Sequence, residues 1–191
     1  MTVDSPSVDS AAFREAISHF ATGVTVITTV HDGVPAGITA SAVSSLSLEP
    51  VLLLVCVNHT SSTHTAIDGS GRFVVNVLGE DDGELALHFA RPSADKFADV
   101  ELEPGHDLPV LKKAIAHFVC DVHERFPGGD HSIFIGLVRQ CGAVPGRHPL
   151  LYFRSRFGKF RDPQAELLAE AASWDAASLG SLGNIRPGRN R

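Results

Sequence analysis

The sequence predicts a mainly β protein, an antiparallel barrel with a few short helices at its periphery. Segments rich in β-branched and apolar residues, such as Val24–Val30 and Phe73–Leu78, recur along the chain and favour strands. His31-Asp32-Gly33 has the composition of a tight hairpin turn. The sustained alternation of strands and helices that a doubly wound parallel sheet requires is missing, so an antiparallel barrel fits better.

The first 40 residues predict a leader, a helix and a hairpin. Residues 1–9 are polar and predict a flexible leader. Ala11–Phe20 predicts an amphipathic helix, with Phe13, Ile17 and Phe20 on one stripe, and Thr22-Gly23 is expected to end it. Val24–Val30 and Pro35–Ala40 then predict the two strands of the hairpin.

The middle of the chain predicts strands separated by short helices. Val51–Val57 is apolar throughout and predicts a strand buried on both faces. Ser61–Ile67 predicts a short helix that ends at Gly69-Ser70-Gly71, and Phe73–Leu78 predicts the next strand. Asp81 and Glu84 have the spacing of a capping box, which predicts the start of another helix.

The C-terminal part predicts three further strands and a tail. Ala114–Glu124 alternates apolar and polar residues, Pro127–Asp130 predicts a turn, Ser132–Arg139 runs back, and Pro149–Phe153 gives a last strand. We therefore predict one domain over residues 10–160. Residues 161–191 are rich in Ala, Ser, Gly and Pro and predict a C-terminal tail that is partly helical, near Gln164–Ala177, or disordered.

Composition excludes several classes of function. The chain has 191 residues and a formal net charge of −6, which argues against general nucleic-acid or membrane-surface binding. Its longest apolar run, Val51–Val57, is too short to span a bilayer, and the N-terminus has no signal-peptide pattern. Cys56, Cys120 and Cys141 lie in or beside apolar runs, which predicts reduced, buried thiols in a cytoplasmic protein. The ten histidines show no metal-binding spacing, so we predict no metal site.

Residues 35–58 predict a cradle for a cofactor. A turn leads into Thr39, Ala40, Ser41 and Ala42, then into several serines, and then into an apolar strand. Small hydroxyl side chains and accessible backbone let a flat, polar-edged ligand lie close to N–H and C=O groups. No catalytic acid, base or nucleophile is required there, because the ligand carries the chemistry and the protein orients it.

Three other motifs each allow two interpretations. Ser61–His64 at a helix start is either an anion site or an ordinary N-cap. Gly128–His131 either presents an imidazole to a ligand or is a plain hairpin corner. The basic run Arg147, Arg154, Arg156, Lys159 and Arg161 either receives an anionic cofactor or partner, or is a solvated strand edge.

Taken together, the motifs resemble the short-chain flavin reductases, whose fold is the FMN-binding split barrel, an antiparallel Greek-key barrel. The resemblance runs from Phe13 to Phe160. It consists of FREA and FATGVTVIT in Phe13–Thr28, GITASAVSSLSLEP in Gly37–Pro50, FVVNVL in Phe73–Leu78, FA and DKF in Phe89–Phe97, GDH in Gly129–His131, and LYFRSRFG in Leu151–Gly158. Their order along the chain is more specific than any single motif.

The resemblance implies an NAD(P)H-dependent enzyme that reduces free FMN or FAD with NADH or NADPH and supplies reduced flavin to a partner monooxygenase. It implies ring contacts from Thr39, Ala40, Ser41 and Ala42, with Ser47 and Asn58 near the ring or ribityl chain. It further implies phosphate contacts from Ser62, His64 and Thr65, closure of the site by Ala90, Arg91 and Lys96, and a nicotinamide contact from His131. A homodimer is also implied.

Two residues depart from the family pattern. The family often has Ser where Ala42 stands and Tyr where Phe157 stands, which leaves the choice between FMN and FAD open. Two alternatives use the same fold: a flavin-binding module without NAD(P)H turnover, such as a sensor or storage protein, and an enzyme acting on another phosphate-bearing ligand of the pyridoxal type. The late position of the basic residues disfavours the second.

Overall fold

The computed structural model of the chain describes residues 8–93 and 95–163. The chain divides into two compact units, Met1–Lys159 and Phe160–Arg191. Most of the predicted leader, the predicted helix near Gln164–Ala177 and nearly all of the predicted tail lie outside the described residues. The proposed limits of the domain, 10–160, therefore stay a prediction.

The described residues form a mainly β structure with short helices, as the sequence predicts. The helices are α1 (Ser10–Ile17), α2 (Ser62–Ser70) and α3 (Gly83–Ala90). The strands are β1 (Thr22–Gly23), β2 (Thr25–His31), β3 (Val34–Ala40), β4 (Val43–Leu48), β5 (Val51–Asn58), β6 (Arg72–Val77), β7 (Ala116–Gly128), β8 (His131–Ala143), β9 (Leu150–Phe153) and β10 (Arg156–Lys159). None of the helices in this part of the chain is long and apolar enough to cross a membrane.

The strands form two antiparallel sheets. The larger has the order β3-β2-β6-β7-β8-β5-β4, and the smaller has the order β1-β9-β10. The two edge strands of the larger sheet, β3 and β4, are joined by only two residues, Ser41 and Ala42, so the sheet must curl until its edges meet there. A bond from Cys56 N–H to the Ala42 carbonyl (3.0 Å) closes this corner.

The core occupies both sides of the curled sheet. Inside the barrel, Ile27, Val55, Phe73 and Phe134 pack together. On the other side of β2, Val24 and Val26 pack with Leu78 and Phe89 beneath α3. Because both faces of β2 are covered, this strand carries β-branched residues without polar alternation.

The β2–β3 turn confirms the prediction for His31-Asp32-Gly33. Asp32 and Gly33 have φ angles of 50° and 75°, the left-handed values of a two-residue type I′ hairpin. Ser61 also caps α2 as expected, since its hydroxyl accepts a bond from Thr63 N–H (3.2 Å). The residue after that helix, Gly71, has a φ of 65° and ends it in the left-handed conformation.

The structure corrects several predicted element boundaries. The first helix ends at Ile17 and not at Phe20, and Thr22-Gly23 pair with β9 as a short strand instead of ending the helix. The stretch from Val43 to Leu48, for which no strand is predicted, forms β4 and pairs with β5. The turn between β7 and β8 is only Gly129-Asp130, and β10 follows β9 through Arg154-Ser155.

Two predictions about local packing are also wrong. In β5, Leu53, Val55 and Val57 are buried, whereas Leu52, Leu54 and Cys56 are only partly buried, so one face alone is fully covered. The N-cap of α3 is Asp82 rather than Asp81, and it makes no side-chain cap bond. The Asp81 carboxylate accepts a bond from Lys159 Nζ (2.6 Å), which lowers the pKa of that carboxyl.

Candidate functional site

A groove follows the free edge of β3, where the sequence predicts the cofactor cradle. A cavity of about 310 Å³ in this groove is lined by Thr39, Ala40 and Ser41 on one side and by Ala90 of α3 on the other. Tyr152 and Phe157 form its aromatic wall, with their ring centroids 5.9 Å apart. The cavity therefore combines small residues, an accessible strand edge and two aromatic rings inclined at 59° to each other. We call it the ring cavity.

The alternation of backbone hydrogen bonds along β3 determines which of its backbone groups face the groove. β3 pairs only with β2, so every second residue of β3 directs its N–H and C=O away from the sheet. The Gly37 carbonyl points outward, because it accepts a bond from Lys96 Nζ (3.0 Å). The backbone of Pro35, two residues earlier, also faces outward, so the missing N–H of this proline removes no hydrogen bond between β2 and β3. Thr39, two residues after Gly37, has the same orientation, so its backbone N–H and C=O face the groove.

Three of the four residues predicted to contact the ring already have a polar group bonded within the fold. The Thr39 hydroxyl donates to the Ala86 carbonyl (2.6 Å) and holds α3 against β3. The Ala42 carbonyl accepts the Cys56 N–H (3.0 Å), and the Ala40 carbonyl accepts the Thr25 hydroxyl (2.7 Å). The polar groups that remain for a ligand are thus the outward backbone of Thr39 and the exposed hydroxyl of Ser41.

A larger cavity of about 650 Å³ continues along the same strand. It is lined by residues 34–37 of β3, by Ser62 and Thr65 of α2, and by Ser93 and Lys96. Ser62 and Thr65 are three residues apart and therefore share one helix face. We call this space the polar cavity. Its hydroxyls and the Lys96 ammonium suit a phosphate, and the helix N-terminus lies beside them.

Lys96 lines the polar cavity and bonds to the backbone of α3. Its Nζ donates to the carbonyls of Gly37 (3.0 Å) and Phe89 (2.8 Å), which leaves one of the three ammonium donors for a ligand. Burial lowers the pKa of this ammonium. Ala90, Arg91 and Lys96 are predicted to close the site. Ala90 lines the ring cavity and Lys96 lines the polar cavity, whereas Arg91 is exposed and lines neither.

A second group of predicted residues lies elsewhere, where β5 ends and β8 begins. Asn58 pairs with His131 in the strand register. The Asn58 Oδ1 accepts bonds from the Thr60 N–H and hydroxyl, and His131 Nδ1 lies 2.7 Å from the Asp130 carboxylate. His131 lowers the pKa of Asp130 through this bond.

His64 belongs to this second group and not to the polar cavity. Its Nε2 lies 2.8 Å from the hydroxyl of Ser132, and His59 Nε2 lies 3.1 Å from the same oxygen. Burial and, secondarily, the neighbouring His59 lower the pKa of His64. Sequence reasoning missed the roles of His59 and Ser132, because only the pairing of β5 with β8 brings them together.

The remaining predicted positions lie apart from both cavities. Ser47 is on β4, where its hydroxyl accepts the Glu49 N–H (3.2 Å). All three cysteines are free thiols, but the prediction that all are buried holds only for Cys120, since Cys56 is partly buried and Cys141 is exposed. Burial raises the pKa of Cys120 to about 12 and also raises that of Cys56.

The curled antiparallel barrel carries a ring cavity and a polar cavity along one strand edge, an arrangement that suits a flat ligand with an anionic arm. Residues 17–161 match the family described as Flavin reductase like domain. The chain belongs to this family, so the predicted family and fold class are confirmed.

Two curated relatives illustrate the match. The chain is 47% identical over 153 residues to the reductase component of 4-nitrophenol 4-monooxygenase/4-nitrocatechol 2-monooxygenase from Rhodococcus opacus, covering 80% of this chain and 82% of the relative. It is 39% identical over 173 residues to the flavin reductase (NADH) of Kitasatospora aureofaciens, covering 86% and 91%.

Solved structures of flavin reductases are similar in fold to this chain. The NADH:FAD oxidoreductase of Streptomyces globisporus in complex with NAD and FAD fragments superimposes with a TM-score of 0.77 at 36% identity, covering 81% of this chain and 94% of that one. The styrene monooxygenase flavin reductase of Pseudomonas putida gives 0.73 at 32% identity, covering 79% and 98%.

Proposed function

We propose that this protein is an NAD(P)H:flavin oxidoreductase that reduces FMN or FAD and supplies the reduced flavin to a partner monooxygenase. The observation that carries the proposal is the family match over residues 17–161, together with relatives named as flavin reductases and as reductase components of monooxygenases. The free edge of β3 supports it independently, because it offers backbone groups beside the aromatic side chains of Tyr152 and Phe157.

The residues present fit a flavin. The ring cavity suits the tricyclic ring, with the outward Thr39 backbone and Ser41 at its polar edge. The polar cavity suits the phosphate arm, with Ser62, Thr65 and Lys96 as donors. When bound, the flavin and the nicotinamide nucleotide supply the redox chemistry, so the chain needs only to bind and orient them.

The chain's own contribution is electrostatic and steric. Fixed backbone N–H groups beside the ring cavity stabilise negative charge at a ligand's edge without having to reorganise. The bond from Thr39 to Ala86 keeps α3 at the right distance from β3 and sets the width of the groove. The contacts proposed for Ala42, Ser47, Arg91, Asn58, His64 and His131 stay predictions, with His131 assigned to the nicotinamide nucleotide.

The test is oxidation of NADH and NADPH by the purified protein, with and without added FMN or FAD. We expect oxidation that depends on added flavin, with a preference for one nucleotide. Flavin binding without turnover would instead favour the sensor or storage alternative. A protein that neither binds flavin nor oxidises either nucleotide would refute the proposal. A second assay adds the partner monooxygenase and measures hydroxylated product.

We also propose that the protein is a homodimer in the cytoplasm. The stripe of Phe13 and Ile17 on α1, together with Phe20 shortly after the helix, is exposed in the single chain, with Phe13 59%, Ile17 50% and Phe20 70% exposed. A second copy is the occupant that the family resemblance implies for this face. The three free thiols support a reducing compartment.

Light scattering after size-exclusion chromatography tests the dimer. We expect twice the chain mass for the wild type and a monomer for Phe13→Glu/Phe20→Glu. Leu102→Glu is the control, since Leu102 is a similarly exposed apolar residue outside that stripe. A monomeric wild-type protein, or a double variant that stays dimeric, would refute the assignment of this face.

A further inference from the structure

The segment 101–112, between α3 and β7, forms a small hairpin on the face of the larger sheet that points away from the barrel interior. Antiparallel backbone bonds close this hairpin, which we call the covering hairpin. Its Leu108 and Val110 are buried against Val74 of β6 and Val119 of β7. These contacts fix the hairpin on the sheet, so its tip is held close to the two strands.

A cavity of about 100 Å³ lies between the tip of the covering hairpin and the sheet. Its polar lining includes Arg72 and Arg139 from the sheet and His106 and Asp107 from the tip. A water molecule takes about 30 Å³ of liquid volume, so the cavity has room for about three waters or for one small ion. Pockets for organic ligands usually measure about 300 Å³ or more. None of the residues that line this cavity also lines the ring cavity or the polar cavity.

The register of the sheet places the two arginines on either side of Asp121. Arg72 on β6 lies directly opposite Asp121 on β7. On the other side, β8 has a bulge whose extra residue is Arg139, and bulges redirect side chains in this way. Arg139 Nε donates to one oxygen of the Asp121 carboxylate (2.6 Å), and Arg72 Nε lies 3.4 Å from the other. Two guanidinium groups therefore share one carboxylate.

This cluster has hydrogen-bond donors that the fold does not use. The second carboxylate nearby, that of Asp107, lies 3.9 Å from Arg72, which is too long for a hydrogen bond, and its side chain is 88% exposed. The terminal nitrogens of Arg72 and Arg139 make no hydrogen bond within the residues that the structure describes. Guanidinium groups donate paired, charge-assisted bonds to the oxygens of anions such as phosphate. The cavity therefore offers unused donors in a space of the size of a small ion.

We propose that this cavity is a binding site for a small tetrahedral oxyanion such as inorganic phosphate or sulfate. Arg72 and Arg139 donate to its oxygens from the sheet, and His106 donates a ring N–H from the tip of the covering hairpin. Asp107, which is exposed, turns into the solvent. The bound ion joins the covering hairpin to β6 and β8 and stabilises the folded state by mass action. The site is separate from the proposed flavin site and does not depend on flavin reduction.

The test titrates the full chain with sodium phosphate or sodium sulfate in place of sodium chloride at constant ionic strength. Calorimetry measures the dissociation constant, thermal unfolding measures Tm, and circular dichroism checks that each variant is folded. The variants are Arg72→Gln/Arg139→Gln, which removes both guanidinium groups, and Asp107→Asn, which removes the competing carboxylate. Arg125→Gln is the matched control, because it removes an arginine that pairs with Asp68 away from this cavity.

We expect phosphate and sulfate to bind the wild type and to raise its Tm above the value in chloride. Arg72→Gln/Arg139→Gln should bind the oxyanion about tenfold more weakly or worse, because charge-assisted bonds are lost. Asp107→Asn should bind it about two- to fivefold more tightly, since an exposed negative charge beside the cavity is removed. Misfolding does not explain a gain in affinity. Arg125→Gln should resemble the wild type.

Three results would overturn the proposal. The first is a wild type on which phosphate and sulfate act no more than chloride, which would make the cluster a surface ion-pair network only. The second is equal oxyanion binding by the wild type and the double variant or, if the double variant does not fold, by Arg139→Gln and Asp107→Asn. The third is binding that Lys96→Met abolishes, which would place the ion in the polar cavity. A wild type without flavin-dependent NADH oxidation would refute the proposed function and leave this inference standing.

Discussion

Gly37 permits the close approach of β3 and α3 on which the groove depends, and Gly37→Ala tests this directly. A Cβ at this position would lie 2.7 Å from Phe89 Cε1 and 2.8 Å from Phe89 Cδ1, with Phe97 Cζ at 3.3 Å. Ordinary carbon contacts are about 3.5–4.0 Å, so the Phe89 ring must move by about 0.8 Å or more.

The ring has little room to do so. Phe89 is fully buried and packs with Val24, Leu78 and Leu111, so its displacement is resisted on several sides. Overpacking of this kind typically costs about 1–3 kcal/mol, and we expect about 2 kcal/mol here. For a domain of this size, that corresponds to a fall in Tm of about 4–8 °C.

The assay is thermal and urea unfolding followed by circular dichroism. Gly158→Ala is the control, because a Cβ there meets no atom within 4 Å, and it should leave Tm nearly unchanged. Adding Phe89→Leu to Gly37→Ala should give less destabilisation than the sum of the two single changes, since each relieves the other. A Gly37→Ala protein within about 0.5 kcal/mol of the wild type would refute the close-approach argument.

Three further outcomes are expected. Lys96→Met should weaken flavin binding about tenfold or more and lower stability, because it leaves two carbonyls without a donor and removes a phosphate donor. Lys112→Met is the control, because it breaks only an exposed ion pair with Glu101 and should change neither flavin binding nor stability by much. Equal effects of the two substitutions would contradict the role of Lys96. A thiol reagent at pH 8 should modify Cys141 quickly and Cys120 only on unfolding, because Cys141 is exposed whereas burial raises the pKa of Cys120 to about 12; rapid labelling of Cys120 would contradict this. Since the folded state lowers the pKa of His64, the unfolded state binds its proton more readily, so protonation of this residue should destabilise the protein as pH falls below about 6.5. In urea unfolding, His64→Asn should reduce the fall of the unfolding free energy with decreasing pH. An unchanged pH dependence would show that other groups cause it.

Features set by local chemistry were predictable from the sequence. The Asp32-Gly33 turn and the Ser61 cap depend on residues within a few positions of each other, and both are confirmed. The mainly β class followed from the β-branched segments. No strand was predicted over Val43–Leu48, because serines are more typical of loops. This stretch is a strand only because it pairs with β5, with a bulge between Ser45 and Ser47.

The candidate site was predictable in composition but not in detail. Small residues at 39–41 predict an accessible backbone, and the structure has the ring cavity beside them. The sequence does not show that the Thr39 hydroxyl is bound to Ala86, because that bond spans 47 positions and depends on how α3 packs. For the same reason, His64 could not be assigned to Ser132 rather than to the polar cavity before the register of β5 and β8 was known.

The free edge of β3 explains why both cavities lie where they do. An unpaired strand edge normally invites association with another chain and is protected in some way. Here Pro35 removes one outward donor, Lys96 occupies the outward carbonyl of Gly37, and α3 covers the strand through Thr39 and Ala86. What stays open is the short stretch at Thr39–Ser41, where a polar-edged ring can bind in place of a neighbouring strand. The open edge of the barrel is therefore the origin of the proposed binding site.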